Sequence, residues 1–225
     1  MSTVEPNAQR AAALRARILD AARRIVMREG IDALSMRKIA DAIGYSAASL
    51  YSHFEGRDAI ARALGHEGFA QLLARLEPCC GIVEPRERLY ALAHAYVAFG
   101  YAHAETYRLM FLPPREPLHA RERERAEEAA TPAPAADADL DSETAAIAAL
   151  FAEALAPVCA DPVLLARALW ALLHGLVCFS FLGPAFAPEA ARLPTIDAAL
   201  DRWLDGQFDD RRGPTAAQNT PADTT

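Results

Sequence analysis

The sequence predicts an all-α protein: an N-terminal three-helix, helix-turn-helix domain followed by a larger helical C-terminal domain. Three observations carry that prediction. Apolar residues recur at helical spacing along most of the chain, with no alternating run that would mark a strand. Glycine or proline stands just beyond each periodic stretch, where helices stop or start. Alanine and arginine dominate the composition, and Lys38 is the only lysine, a bias toward helix formers.

With 225 residues, 52% of them hydrophobic and 24% charged, the chain is long and apolar enough to bury a core. The formal net charge is −7, unevenly spread: the first 60 residues carry a balance of +2 and the remainder −9. A small basic module on an acidic body is the pattern of a protein that offers one end to a polyanion. The four cysteines, Cys79, Cys80, Cys159 and Cys178, lack the spacing of a zinc site or a disulfide framework. The first 13 residues hold no apolar run of the secretory kind, so the expectation is a cytoplasmic protein with reduced thiols. Residues 168–188 carry no formal charge, yet Gly183 and Pro184 interrupt them. They read as a core or dimer helix and not as a membrane span.

In chain order, Leu14, Ile18, Ala22 and Ile25 give the first helix its apolar stripe, and Gly30 ends it. Two short helices follow at about 36–43 and 47–53, divided by Gly44, and a fourth runs from Gly56 to about Leu76. Pro85 opens a helix with Leu89, Leu92, Tyr96 and Val97 on one face, ending near His103. A shorter helix covers 105–111 and stops at Pro113 and Pro114. Residues 115–130 alternate arginine and glutamate as a solvated helix would, and 131–141 read as a flexible linker. Helices are expected at about 142–157, 162–182 and 195–208, with a disordered tail over 213–225.

The informative stretch is 34–64, LSMRKIADAIGYSAASLYSHFEGRDAIARAL. Ser35 and Ser46 each stand where an N-cap hydroxyl is needed, and Gly44 permits the positive φ of a tight turn. Met36, Ile39, Ala40 and Ile43 share the inward face of the first short helix; Leu50 and Phe54 anchor the second. What remains on the second, Ala47, Ala48, Ser49, Tyr51, Ser52 and His53, is small or hydrogen-bonding. Two short helices about a glycine turn make a helix-turn-helix, whose second helix enters the DNA major groove. Small residues allow close approach, while serine, tyrosine and histidine reach phosphates or base edges.

The order S-M-R-K-I-A-x-x-I-G-Y-S-x-x-x-L-Y-x-H-F, with Arg57 three residues on, resembles the tetracycline-repressor family. The resemblance implies that Arg37 contacts phosphate, that Ala47, Ala48, Ser49, Tyr51, Ser52 and His53 face DNA, and that Arg57 holds a phosphate. Ala48 stands where the family often has proline or glycine, and Ser52 where it usually has a larger residue. TYRLMF at 106–111, with Trp170, His174 and Gly175, resembles the regulator domain named after its Trp-His-Gly residues. It implies that the last two helices form a four-helix bundle with a second copy.

On this reading residues 10–66 bind double-stranded operator DNA, and residues 67–212 bind a small effector and form a homodimer. His94, Tyr101, His103, Met110, Phe111, Trp170, His174 and Cys178 are candidates for the effector cavity, as polar or bulky points in an apolar wall. Each is as readily plain core. Leu165, Leu169, Leu172, Leu176 and Phe179, with Leu200, Trp203 and Leu204, are candidates for the dimer interface. His174 and Cys178 lie four residues apart, but two ligands do not hold zinc, and a dyad without an orienting partner does not make a nucleophile. No catalytic, metal or cofactor site is expected. The function implied is a repressor released from a palindromic operator by a small, largely apolar effector. Two alternatives remain open: an activator or architectural DNA-binder without a ligand, and an enzyme with a vestigial helix-turn-helix.

Overall fold

The computed structural model describes residues 5–111, 136–183 and 192–209, and among them it contains nine α-helices and no strand. They are α1 (Glu5–Glu29), α2 (Met36–Ile43), α3 (Ala47–Tyr51), α4 (Arg57–Leu76), α5 (Pro85–Ala102), α6 (Ala104–Phe111), α7 (Ala136–Leu155), α8 (Pro162–Ser180) and α9 (Arg192–Asp209). By its contacts the described chain divides into two compact units. One comprises residues 5–75, 98–111 and 136–147; the other comprises 76–97, 148–183 and 192–209. This contact-based partition differs from the functional division into 10–66 and 67–212.

In the first unit, α1 to α4 close around one apolar cluster. Ile18, Ala22 and Ile25 of α1 meet Ile39 and Ile43 of α2, Leu50 of α3, and Ile60 and Leu64 of α4, all buried. Fully burying an isoleucine or leucine contributes about 1.5–3 kcal/mol, so this cluster holds the short helices that could not persist alone. Local chemistry sets their ends. The Lys38 N–H donates to Ser35 Oγ at 3.2 Å, and the Ser49 N–H to Ser46 Oγ at 3.2 Å, so each serine caps its helix. Gly44 closes α2 in the left-handed region at φ 73°, where a side chain would be strained. α4 and α6 approach backbone to backbone: a Cβ on Gly65 would lie 2.8 Å from the Leu109 carbonyl oxygen, and one on Gly68 2.7 Å from Met110 Cγ.

In the second unit, Leu89, Leu92, Tyr96, Phe151, Leu155, Leu169, Leu173, Val177, Ile196, Leu200 and Leu204 are buried. A polar ladder joins α5 to α9 at four-residue steps on both helices. Arg86 donates to Asp201 at 2.7 Å and to Asp205 at 3.2 Å, the Tyr90 hydroxyl donates to Asp201, and His94 Nε2 meets Asp197 Oδ1 at 2.6 Å. The Tyr90 hydroxyl and the Arg86 guanidinium hold the Asp201 carboxyl below its usual range. Burial raises the Tyr90 phenol above its ordinary value.

The structure departs from the expected elements in two described places. α7 begins at Ala136, inside the stretch read as linker. The stretch is rich in alanine, the strongest helix former. α3 ends at Tyr51, since the His53 and Phe54 N–H groups both donate to the Leu50 carbonyl and close the turn. The Arg/Glu segment at 115–130 and the tail at 213–225 lie outside the described residues. α8 is long and apolar enough to cross a membrane by length and composition. It nevertheless buries one face, Ala166, Leu169, Leu173 and Val177, in its own unit.

Candidate functional site

The face left by the helix-turn-helix follows from what its core consumes. Leu50 and Phe54 point inward, with Leu50 fully buried. Tyr51 is 57% exposed, Ala48 and Ser52 are exposed, and Ala47, Ser49 and His53 are half-buried. The serine hydroxyls are less free than their exposure suggests. Ser49 Oγ lies 2.8 Å from Ser46 Oγ, and Ser52 Oγ donates to the Ser49 carbonyl at 2.8 Å. Ser52 thereby spends its donor on the backbone, and Tyr51 and His53 remain as ring-bearing groups on this face.

The cations around this face differ in how far they are neutralised. Arg37 is exposed and has no ion pair among the described residues. Lys38 is paired with Glu29, whose carboxyl is held below its usual range chiefly by that contact. Arg57 begins α4 with Nε 3.7 Å from Asp58 Oδ1, and that buried nitrogen has no hydrogen-bond partner. Arg15 stacks its guanidinium on the Phe54 ring, 4.8 Å from the centroid. One surface residue escaped the sequence reading: Tyr45, in the turn before α3, is 40% exposed. The available signal was an aromatic side chain that fits neither helix's apolar stripe.

The eight residues proposed for an effector cavity fall four to each unit. In the first, Met110 is buried, and Phe111 packs its ring on Phe69 at 5.0 Å and Tyr107 at 4.7 Å. Tyr101 is half-buried. His103 is exposed, on the rim of a cleft of about 150 Å³ that Arg23, Met27, Glu67, Gln71 and Thr106 also line. Leu64 and Leu109, with Met27, give that cleft the apolar part of its lining. In the second unit His94 is spent on its carboxylate partner, Asp197. Trp170, by contrast, donates Nε1–H to the buried Tyr96 hydroxyl at 2.8 Å. His174 Nε2 lies 3.3 Å from Cys178 Sγ; burial lowers the imidazole's affinity for a proton and raises the thiol's. A neutral imidazole beside a protonated thiol is a polar point without charge, suited to an uncharged ligand and not to nucleophilic attack.

The dimer candidates separate by burial. Leu169, Leu200 and Leu204 are fully buried in their own unit and offer no side-chain surface to a second copy. On α9, Leu200 and Leu204 complete the core of their own unit. Leu165, Leu176 and Trp203 are half-buried. Leu172 (37%) and Phe179 (55%) are exposed, as are Leu164, Ala168 and Ala171 on the same side of α8. The exposed Arg167 borders that side, three residues after Leu164 and four before Ala171.

A capped two-helix motif over a shared core, with an exposed polar second helix, defines a helix-turn-helix protein. Comparison with known proteins gives the family. Residues 18–64 match the description "Bacterial regulatory proteins, tetR family", and residues 89–205 match "Tetracyclin repressor-like, C-terminal domain". The chain belongs to the tetR family of bacterial regulatory proteins. The C-terminal match carries that general description and not the Trp-His-Gly subgroup.

An uncharacterised HTH-type transcriptional regulator of Mycobacterium tuberculosis is 38% identical over 74 residues, a match that covers 32% of this chain and only 37% of the relative. Among solved structures, a protein of unknown function from Rhodococcus sp. RHA1 superposes with a TM-score of 0.66 at 27% identity, covering 86% of this chain and 94% of its own. AibR, solved with isovaleryl coenzyme A and operator DNA, has the same fold at a TM-score of 0.56 and 18% identity, covering 87% and 96%.

Proposed function

We propose that this protein is a homodimeric, cytoplasmic repressor that binds a palindromic operator and leaves it when a small, largely apolar effector binds. Residues 10–66 hold the duplex and residues 67–212 bind the effector and the second copy. The observation that carries the reading is the surface of α3. Leu50 of α3 and Phe54 just beyond it are consumed by the core, while Tyr51, Ala47 and Ala48 of α3 and His53 of the following turn are left outside it, with Arg37 exposed on α2. Ser49 and Ser52 contribute backbone and hydroxyl acceptors to the same face.

The effector region in this reading is the part of the second unit where Tyr96, Trp170, His174 and Cys178 place uncharged polar groups among apolar side chains. AibR offers the precedent of one such fold taking both operator DNA and a ligand. An effector acts by binding the DNA-incompetent spacing of the recognition helices better than the competent one. No chemical step on the effector is part of this proposal.

The test is selection of binding sites from a random duplex library with the purified protein, followed by footprinting. The expected result is an inverted repeat whose half-sites lie about one helical turn or more apart. Enrichment of no sequence, or of a single half-site with a footprint under about 10 base pairs, contradicts it.

A further inference from the structure

We infer that Arg17 of α1 is a preset phosphate-gripping arm, so that the DNA-binding surface extends from the helix-turn-helix onto the first helix through Tyr45. The inference rests on the operator-binding reading above. Three other arginines of α1 are already engaged by their neighbours. Arg24 is paired with Asp20, Arg23 with both Asp20 and Glu67, and Arg15 is laid over the Phe54 ring.

Arg17 is held differently. Its Nη2 donates to the Ile43 carbonyl at 3.1 Å, at the C-terminus of α2, and its Nη1 lies 3.4 Å from the Tyr45 hydroxyl. The guanidinium carbon sits 5.2 Å from the centroid of the Tyr45 ring. All these partners are neutral. Among the described residues no carboxylate lies within ion-pairing distance of Arg17. The side chain is therefore ordered without being neutralised.

Two consequences follow from general physics. A long side chain already fixed at a carbonyl and a ring loses little further rotamer entropy when it binds an anion. A guanidinium has five N–H donors, so two spent inside the protein leave three for a phosphate. The position suits that use. Tyr45 immediately precedes Ser46, the cap of α3, so a duplex seated on Tyr51 and His53 brings its backbone to the turn where Arg17 lies. Tyr45, 40% exposed, presents its hydroxyl and ring edge on the same side. The recognition helix offers few base-reading side chains, and a backbone arm next to it fixes its depth and register in the groove.

The experiment compares wild type, Arg17→Gln and Arg17→Lys by fluorescence anisotropy. The probes are the duplex enriched by binding-site selection and a mixed-sequence duplex, titrated across a series of salt concentrations. Arg17→Gln is expected to weaken both duplexes alike, by about tenfold at low salt. Its dependence of log affinity on log salt should flatten by about 0.9 for each protomer bound. Arg17→Lys keeps the charge and should restore the slope, with affinity between the other two. Unchanged binding by Arg17→Gln overturns the inference. So does weaker binding with an unchanged slope and a lowered melting temperature, the signature of a residue that only caps α2. Wild-type protein that binds no duplex at all removes the operator reading itself, and the arm with it.

Discussion

Two kinds of residue share the face around α3, and they carry different information. Arg57 begins α4 with its guanidinium beside Asp58, and as a cation at a helix start it is expected to hold a phosphate. Tyr51 ends α3 and His53 lies in the turn just after it, with Tyr51 the more exposed. Arg57→Ala is therefore expected to weaken binding to all duplexes to a similar degree, while His53→Ala changes which bases are preferred at one position of the half-site. A base contact of this kind is worth about 1–3 kcal/mol of discrimination. Parallel binding-site selections on the two variants decide the matter: a shifted consensus from Arg57→Ala with affinity retained would reverse the assignment.

At the scale of helices, the close approach of α4 and α6 at two glycines is open to a direct test. Gly65 faces a backbone carbonyl, which cannot rotate away, whereas Gly68 faces the flexible side chain of Met110 together with the Thr106 methyl. Alanine in a helix interior normally gains about 1 kcal/mol over glycine. Overpacking against an atom that cannot yield costs about 1–3 kcal/mol. Gly65→Ala should lower the urea midpoint, and should lower it more than Gly68→Ala, whose neighbour can swing aside. A Gly65→Ala protein more stable than wild type would mean that the helices do not approach this closely. The α5–α9 ladder works on another principle. Its pairs are solvent-facing, so each adds little alone, but the matched four-residue step on both helices sets their register.

For the whole molecule, the outer side of α8 poses the question of assembly. Leu164, Leu172 and Phe179 around Ala168 and Ala171 form an exposed apolar strip, and small residues at its centre let a symmetric partner helix come close. Leu172→Asp places a charge in that strip without touching the protomer's core. It is expected to give monomers by sedimentation whose far-ultraviolet circular dichroism is unchanged, and to reduce operator affinity more than a hundredfold. Two tethered half-site contacts gain about 10²–10⁴ in avidity over one. A Leu172→Asp protein that remains dimeric at micromolar concentration would place the interface elsewhere. Leu200→Asp makes a poor test by comparison, since it would unfold the protomer whichever surface dimerises.

The amino-acid sequence alone determined what depends on neighbours along the chain. The caps at Ser35 and Ser46, the left-handed turn at Gly44, the inward set Met36, Ile39, Ala40 and Ile43, and the helix-turn-helix they build were all legible, because each rests on contacts within a few residues. Family membership was legible for the same reason: its motif is one short, ordered string. Tertiary structure alone decided how those helices spend their surfaces. Leu169 and Leu172 look alike in sequence, yet one is fully buried and the other is 37% exposed, because exposure depends on which neighbour a helix turns toward. The same holds for His94, claimed by Asp197 from 103 residues away. Arg17 and Tyr45 meet across 28 residues, a pairing that periodicity cannot express. Helical spacing tells which residues share a face; only the folded chain determines what that face meets.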